Sequence, residues 1–111
     1  MKRATEPCFV EGVQNRRITI ACRDRAHVSV LKQLGGARSV FGHRWRLRAE
    51  TDEELARMLA ALRDNEFAFA GATSGWPPAE VFSEMRERGL LDGAFAEIVW
   101  RAPNDPVIVE R

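Results

Sequence analysis

The segment 44–48 constrains the fold more than any other part of the chain, because arginine and apolar residues alternate in it. Its residues are Arg44, Trp45, Arg46, Leu47 and Arg48. Successive side chains of a β-strand point to opposite faces of the sheet, so a period of two predicts a strand with one apolar and one cationic face. We therefore expect a sheet with one face in the core and the other open to solvent.

Two further strands are predicted over residues 7–13 and 17–22, and they form a hairpin with residues 14–16 as the turn. A three-residue turn fixes the register of this hairpin, since a shift by one residue would turn every side chain to the other face. The predicted opposite pairs are Cys8 with Cys22, Val10 with Ile20, and Gly12 with Ile18.

Three helices are predicted from capping residues and apolar stripes. Their predicted spans are 25–34, 52–63 and 77–88. Asp24 can cap the first helix, and Thr51 with Glu54 forms a capping box at the second. Pro77 suits the start of the third helix and Gly89 its end.

The remaining predicted strands complete one sheet. They are 38–41 and 43–49, which form a hairpin around Gly42, then 67–70, 95–101 and an edge strand at 107–109. The predicted fold class is α+β: a single domain over residues 1–111, with a mixed or antiparallel sheet and three helices on one face. Residues 17–70 alone have the order β-α-β-β-α-β of the ferredoxin-like unit. The exposed edge at 107–109 would allow a dimer through strand pairing.

Composition excludes several classes of protein. The chain has 111 residues, of which 45% are hydrophobic and 30% are charged, as in an ordinary globular domain. It has no apolar run of about 20 residues and no apolar region of a signal peptide near the N-terminus. Two cysteines are too few for a disulfide scaffold. We therefore expect a cytoplasmic protein that does not enter the membrane.

Charge is distributed unevenly along the chain. Residues 1–48 carry eleven basic and three acidic side chains, whereas residues 49–111 carry six basic and thirteen acidic ones. The formal net charge is only +1. Such an asymmetry indicates either a charged face for a macromolecular partner or two halves whose charges mix in the folded protein.

Two sets of residues are candidates for partner binding. The cationic set is Arg17, Arg44, Arg46 and Arg48, and the acidic set is Glu80, Glu84 and Glu87 with Trp76 beside them. Guanidinium groups in a row suit phosphates or carboxylates. Sheets that bind nucleic acid also need aromatic side chains on the binding face, and Trp45 is out of phase with the arginines of its strand. Trp76 has the alternative of packing on Val81 as a hydrophobic staple.

Catalytic and metal-binding patterns are missing from the sequence. Cys22 lies before a helix N-terminus, which favours a thiolate, but no phosphatase loop and no Cys-x-x-Cys motif follows it. His27 lies on an apolar stripe and His43 follows a glycine, with no further residues at ligand spacing. We expect no metal, no cofactor and no enzymatic activity.

The sequence leaves three hypotheses for function. The preferred one is a small non-enzymatic protein that binds and inhibits a macromolecular partner, most simply a protein, as an inhibitor, an immunity protein or a phage-encoded blocker would. The alternative is a nucleic-acid-binding module that uses the arginine-rich strand 44–48. The third is a small enzyme that uses Cys22 or His27.

Overall fold

Eight strands form one mixed sheet with three helices on one face, in a computed structural model that describes residues 2–3, 8–39, 43–71 and 77–111. The strands are β1 (Lys2–Arg3), β2 (Phe9–Gln14), β3 (Arg17–Ala21), β4 (Ala37–Arg38), β5 (Arg44–Arg48), β6 (Ala68–Ala70), β7 (Ala96–Trp100) and β8 (Pro106–Glu110). The helices are α1 (Arg25–Gln33), α2 (Asp52–Asp64) and α3 (Pro78–Glu87). The predicted α+β class is confirmed.

The strand order in the sheet is β1-β8-β7-β6-β2-β3-β5-β4. β6 runs parallel to both of its neighbours, β2 and β7, and the other strand pairs are antiparallel. The elements of residues 17–70 do follow the order β-α-β-β-α-β. Their four strands are not contiguous in the sheet, however, because β2, which precedes this unit, lies between β3 and β6.

The β2–β3 hairpin has a two-residue turn and a bulge, so the predicted three-residue turn is wrong. Asn15 and Arg16 form the turn with φ angles of 51° and 62°, the left-handed conformation that a tight hairpin turn requires. The predicted pair of Val10 with Ile20 is present, but Gly12 lies opposite Thr19 rather than Ile18. The register shifts at this bulge, between Val10 and Gly12.

The bulge has a clear physical reason. With an unbroken register Val10 and Gly12 would both face the helices, and a glycine would occupy a core position. The inserted residue brings Val13 to the core instead, so that Val10 and Val13 are 0% and 4% exposed. The hairpin thus buries a valine in place of a glycine, which stabilises the sheet by the added apolar contact.

The helices begin at the predicted caps. The Asp24 side chain accepts a hydrogen bond from the Ala26 amide, and the Thr51 hydroxyl accepts one from the Glu54 amide. Both caps satisfy amides that have no partner within the helix. α3 has Pro77 at its N-cap position, as predicted, and the chain leaves α3 at Gly89 with a φ of 76°.

The main core lies between the sheet and the helices. All three helices and the central strands contribute to one cluster of buried apolar residues. At its centre Phe69 packs edge-on against Phe82 and Phe95, with ring centroids 5.2 and 5.8 Å away. Trp45 and Leu47 are 5% and 2% exposed, so the apolar face of β5 lies in this core, as its alternation predicts.

Strand β8 is not an edge of the sheet, and the predicted free edge at 107–109 is wrong. β1 pairs antiparallel with β8, placing Lys2 opposite Ile108 and Arg3 opposite Val107. Of the predicted strand 38–41, Arg38 lies in β4, whereas residues 40–41 and Gly42 lie outside the described residues. In the described part of the chain, no helix is long and apolar enough to cross a membrane.

Candidate binding face

The face of the sheet opposite the helices carries the predicted arginines. β3 and β5 pair so that Arg17 lies opposite Arg48, Thr19 opposite Arg46, and Ala21 opposite Arg44. Residues directly opposite each other share a face, so all four arginines are on this one. Their side chains are exposed. We call this surface the open face, since no helix among the described residues packs on it.

One arginine of the four has a carboxylate partner. Arg44 Nε donates to Glu11 Oε1 at 3.0 Å, and the hydrogen bond to Glu11 raises the pKa of this guanidinium. Glu11 lies in the bulge of β2, so the same bulge that turns Val13 to the core also places a carboxylate beside Arg44. Arg17, Arg46 and Arg48 have no ion pair with any described residue. We call these three the free arginines.

The free arginines repel one another. Arg17 and Arg48 lie directly opposite on adjacent strands, where like charges are destabilising. Arg46 lies two residues before Arg48 in β5 and therefore on the same face. A bound anion would relieve this repulsion and accept paired hydrogen bonds from the guanidinium groups.

Two aromatic residues that the sequence reasoning missed lie on the same face. Phe9 of β2 and Trp100 of β7 meet edge to face with ring centroids 6.1 Å apart. Between their strands lies β6, whose outward residues Ala68 and Ala70 have no bulk beyond Cβ, so the two rings can approach above them. The parity of Phe9 relative to Val10 could have placed Phe9 here, but Trp100 required the strand order.

The free arginines and the aromatic pair line one shallow concavity of about 1370 Å³. Two carboxylates also line it, and each is paired with an arginine: Glu11 with Arg44, and Glu97 with Arg111 at 2.7 Å. Both acids of the concavity are therefore neutralised by cations, while three arginines of its lining have no carboxylate. Among its described lining residues arginines thus outnumber carboxylates by three to two, which favours anionic ligands.

The predicted acidic set lies elsewhere, on the helix layer. Glu80, Glu84 and Glu87 are exposed on α3, whereas Trp76 is outside the described residues. Arg88 lies one helical turn after Glu84, but its guanidinium donates to Asp52 at 3.1 Å. The cationic and acidic sets therefore occupy different sides of the sheet.

Asp52 joins the layers of the molecule. It accepts hydrogen bonds from Arg16 of the hairpin turn at 3.0 Å and from Arg88 after α3 at 3.1 Å. These two guanidinium groups lower the pKa of the Asp52 carboxyl. An ion pair between Arg16 and Asp52 thus joins the basic N-terminal half of the chain to the acidic C-terminal half, but the free arginines form no such pair with a described residue.

The two cysteines lie in the core, as the hairpin register predicts. The Sγ atoms of Cys8 and Cys22 are 3.0 Å apart, and both residues are buried free thiols. Burial, together with the hydrogen bond to Cys8, raises the pKa of Cys22 to about 12. A protonated and buried thiol is a poor nucleophile, so this geometry disfavours an enzyme based on Cys22.

The histidine of the third hypothesis has structural partners. His27 Nδ1 lies 3.0 Å from Asp24 Oδ2, and its ring packs edge-on against Phe67 at 5.1 Å. The Ala26 amide and, to a smaller extent, His27 lower the pKa of Asp24. The described residues contain no group of three or more His, Cys, Asp or Glu side chains that could hold a metal ion.

Comparison with protein families, with curated proteins and with solved structures finds no match to this chain. Its function must therefore be argued from the open face itself.

Proposed function

We propose that this is a small non-enzymatic protein that binds the phosphate backbone of a nucleic acid with its open face. The observation that carries the proposal is the group of free arginines, which are exposed on adjacent strands with no carboxylate among the described residues. A polymer with one anion at each repeat matches such a row of cations. Cytoplasmic location, where nucleic acids are accessible, is part of the same proposal.

The composition of the open face favours nucleic acid over an acidic protein as its ligand. Interfaces between proteins have an apolar centre surrounded by a polar rim. Trp100, at 47%, is the exposed large hydrophobic residue of the described chain. This exposed indole lies beside three arginines that have no ion pair with a described residue, and interfaces with nucleic acid are more positively charged than those between proteins.

A protein partner is the second candidate, and it would use the acidic set. Glu80, Glu84 and Glu87 project from one side of α3 without an ion pair to any described residue. A basic protein surface could dock there, as in an inhibitor or immunity protein. The two candidates use opposite sides of the molecule, so charge changes on one side separate them.

Fluorescence anisotropy with labelled oligonucleotides across a salt series tests the first candidate. If the free arginines neutralise three phosphates of a single strand, the logarithm of the association constant should fall with the logarithm of salt with a slope of about −2. The variant R46Q/R48Q should bind more weakly and reduce that slope by about 1.4.

The matched control is K32Q/R57Q, which removes the same charge from exposed positions on α1 and α2. It should leave the affinity and the slope close to those of the unmodified protein. Equal losses in the two double variants would reduce the effect to net charge and overturn the proposal. Absence of binding to any oligonucleotide at low salt would do the same and would direct attention to Glu80→Lys and Glu84→Lys variants with protein partners.

A further inference from the structure

We infer that the ligand of the open face is single-stranded nucleic acid and that its unpaired bases stack on Trp100 and Phe9. This inference rests on the proposed function, since it assigns the bases while the free arginines hold the phosphates. An exposed aromatic ring close to a group of cations is the feature on which base stacking by a bound strand depends. Double strands keep their bases paired and stacked inside the duplex and offer no ring to Trp100.

The position of Trp100 leaves its ring available. Trp100 is 47% exposed although it contacts Phe9, and the planes of the two rings are inclined at 66°. Phe9 therefore touches the indole in an edge-to-face arrangement and does not cover it as a parallel ring would. The aromatic pair holds the indole in place, which lowers the entropy that stacking a base would cost.

The distance across the sheet fits a short piece of a single strand. From β7, which carries Trp100, the sheet continues through β6, β2 and β3 to β5, which carries Arg46 and Arg48. Four steps of about 4.8 Å between neighbouring strands give roughly 19 Å. Other sheets that bind single strands accommodate about two or three stacked bases. A strand laid across the open face would meet the aromatic pair at one end and the free arginines at the other.

The base-stacking role predicts little sequence preference. No described polar side chain of the concavity is buried and aimed at a base edge, and every base has a π-face that an indole can contact. Preference among sequences should thus follow stacking strength, with purines and pyrimidines both accepted.

Three labelled probes of about 12 nucleotides test the inference: a single strand, the corresponding duplex, and a backbone of the same length without bases. We expect the unmodified protein to bind the single strand at least about fivefold more tightly than the other two. Trp100→Leu should lose that preference while keeping the salt slope. Trp100→Phe, which keeps a stacking ring, should retain most of it.

The outcomes separate this inference from the proposed function. R46Q/R48Q should weaken binding to all three probes, since they share their phosphates. If the unmodified protein binds all three probes equally, with a salt slope that R46Q/R48Q reduces, the phosphate site stands and the stacking role is overturned. If a Trp100→Leu protein with a normal unfolding transition still prefers the single strand, stacking on Trp100 is likewise overturned. If no probe binds, the proposed function itself fails.

Discussion

The two faces of β5 are built from one short sequence and have opposite properties. Trp45 and Leu47 are almost fully buried against the helices, while Arg44, Arg46 and Arg48 are exposed on the open face. The covered face gains free energy from apolar burial. The arginine side of β5 lies outside this core, and it places Arg48 opposite Arg17 at a small electrostatic cost.

The covered face of β5 therefore serves stability, whereas its exposed face is free to serve another role. The covered face tolerates little change, because close-packed interiors respond to the loss of a few atoms. The exposed arginines of the open face can change without loss of the fold, so they are available for a binding role. Each of the following predictions tests this separation.

The largest loss of stability is expected from Phe69→Ala on the covered face. Phe69 is 0% exposed and packs against both Phe82 and Phe95. Its truncation should lower the free energy of unfolding by about 3–5 kcal/mol, measured by urea denaturation. Phe9→Ala, the matched change on the open face, should cost about 1 kcal/mol. Equal costs would mean that the open face is also covered in solution.

Thiol labelling should report the protection of the covered face. A pKa of about 12 for Cys22 leaves at pH 8 on the order of a thousandfold less thiolate than an ordinary cysteine has. An aromatic disulfide reagent should thus modify native protein far more slowly than denatured protein. Rapid reaction of Cys22 in the native state, with the modified cysteine identified by peptide mapping, would contradict the burial and revive the enzyme hypothesis.

The pH dependence of stability should reveal the contacts that Asp52 makes between the layers. Because Arg16 and Arg88 lower the folded-state pKa of Asp52, its carboxylate stabilises the fold above the unfolded pKa of about 3.9. That contribution is lost as pH falls through the folded-state pKa. Asp52→Asn should destabilise the protein at pH 7 and match it at strongly acidic pH. Glu53→Gln, a neighbouring exposed change, should show no such convergence.

The smallest expected effect is a gain in stability. Arg17→Thr removes the like charge opposite Arg48 and places a β-branched residue in β3, so unfolding should cost about 0.2–1 kcal/mol more. The same variant should bind single strands less tightly. A gain in stability together with a loss of affinity would support separate roles for the two faces. A loss of both stability and affinity would contradict them.

Local features of the sequence predicted much of this fold. The caps at Asp24 and Thr51, and the alternation in β5, depend on residues close together in the chain, so each could be recognised alone. The prediction for the turn of the first hairpin was wrong because burying Val13 lowers the free energy only when the helices cover it. Propensity and periodicity do not contain that tertiary term.

Half of the candidate binding face was predicted from the sequence. Arg17, Arg46 and Arg48 follow from strand parity, and their exposure agrees with it. The aromatic pair does not follow, because Phe9 and Trp100 become neighbours only through the insertion of β6 between their strands. The sequence showed only that Trp45 is out of phase with the arginines of its own strand, and it placed no aromatic residue of another strand beside them.

The position of β2 has a consequence for how the chain acquires its fold during synthesis. The β2–β3 hairpin is local, but the other side of β2 is completed only by β6, which pairs Phe9 with Ala68. Contacts so distant in sequence must first overcome the entropy of closing the intervening loop, which slows folding. A ribosome must release α1, β5 and α2 before the middle of the sheet can close. Until then the unpaired edge of β2 can pair with strands of other chains, and a chaperone that binds this edge would prevent such aggregation.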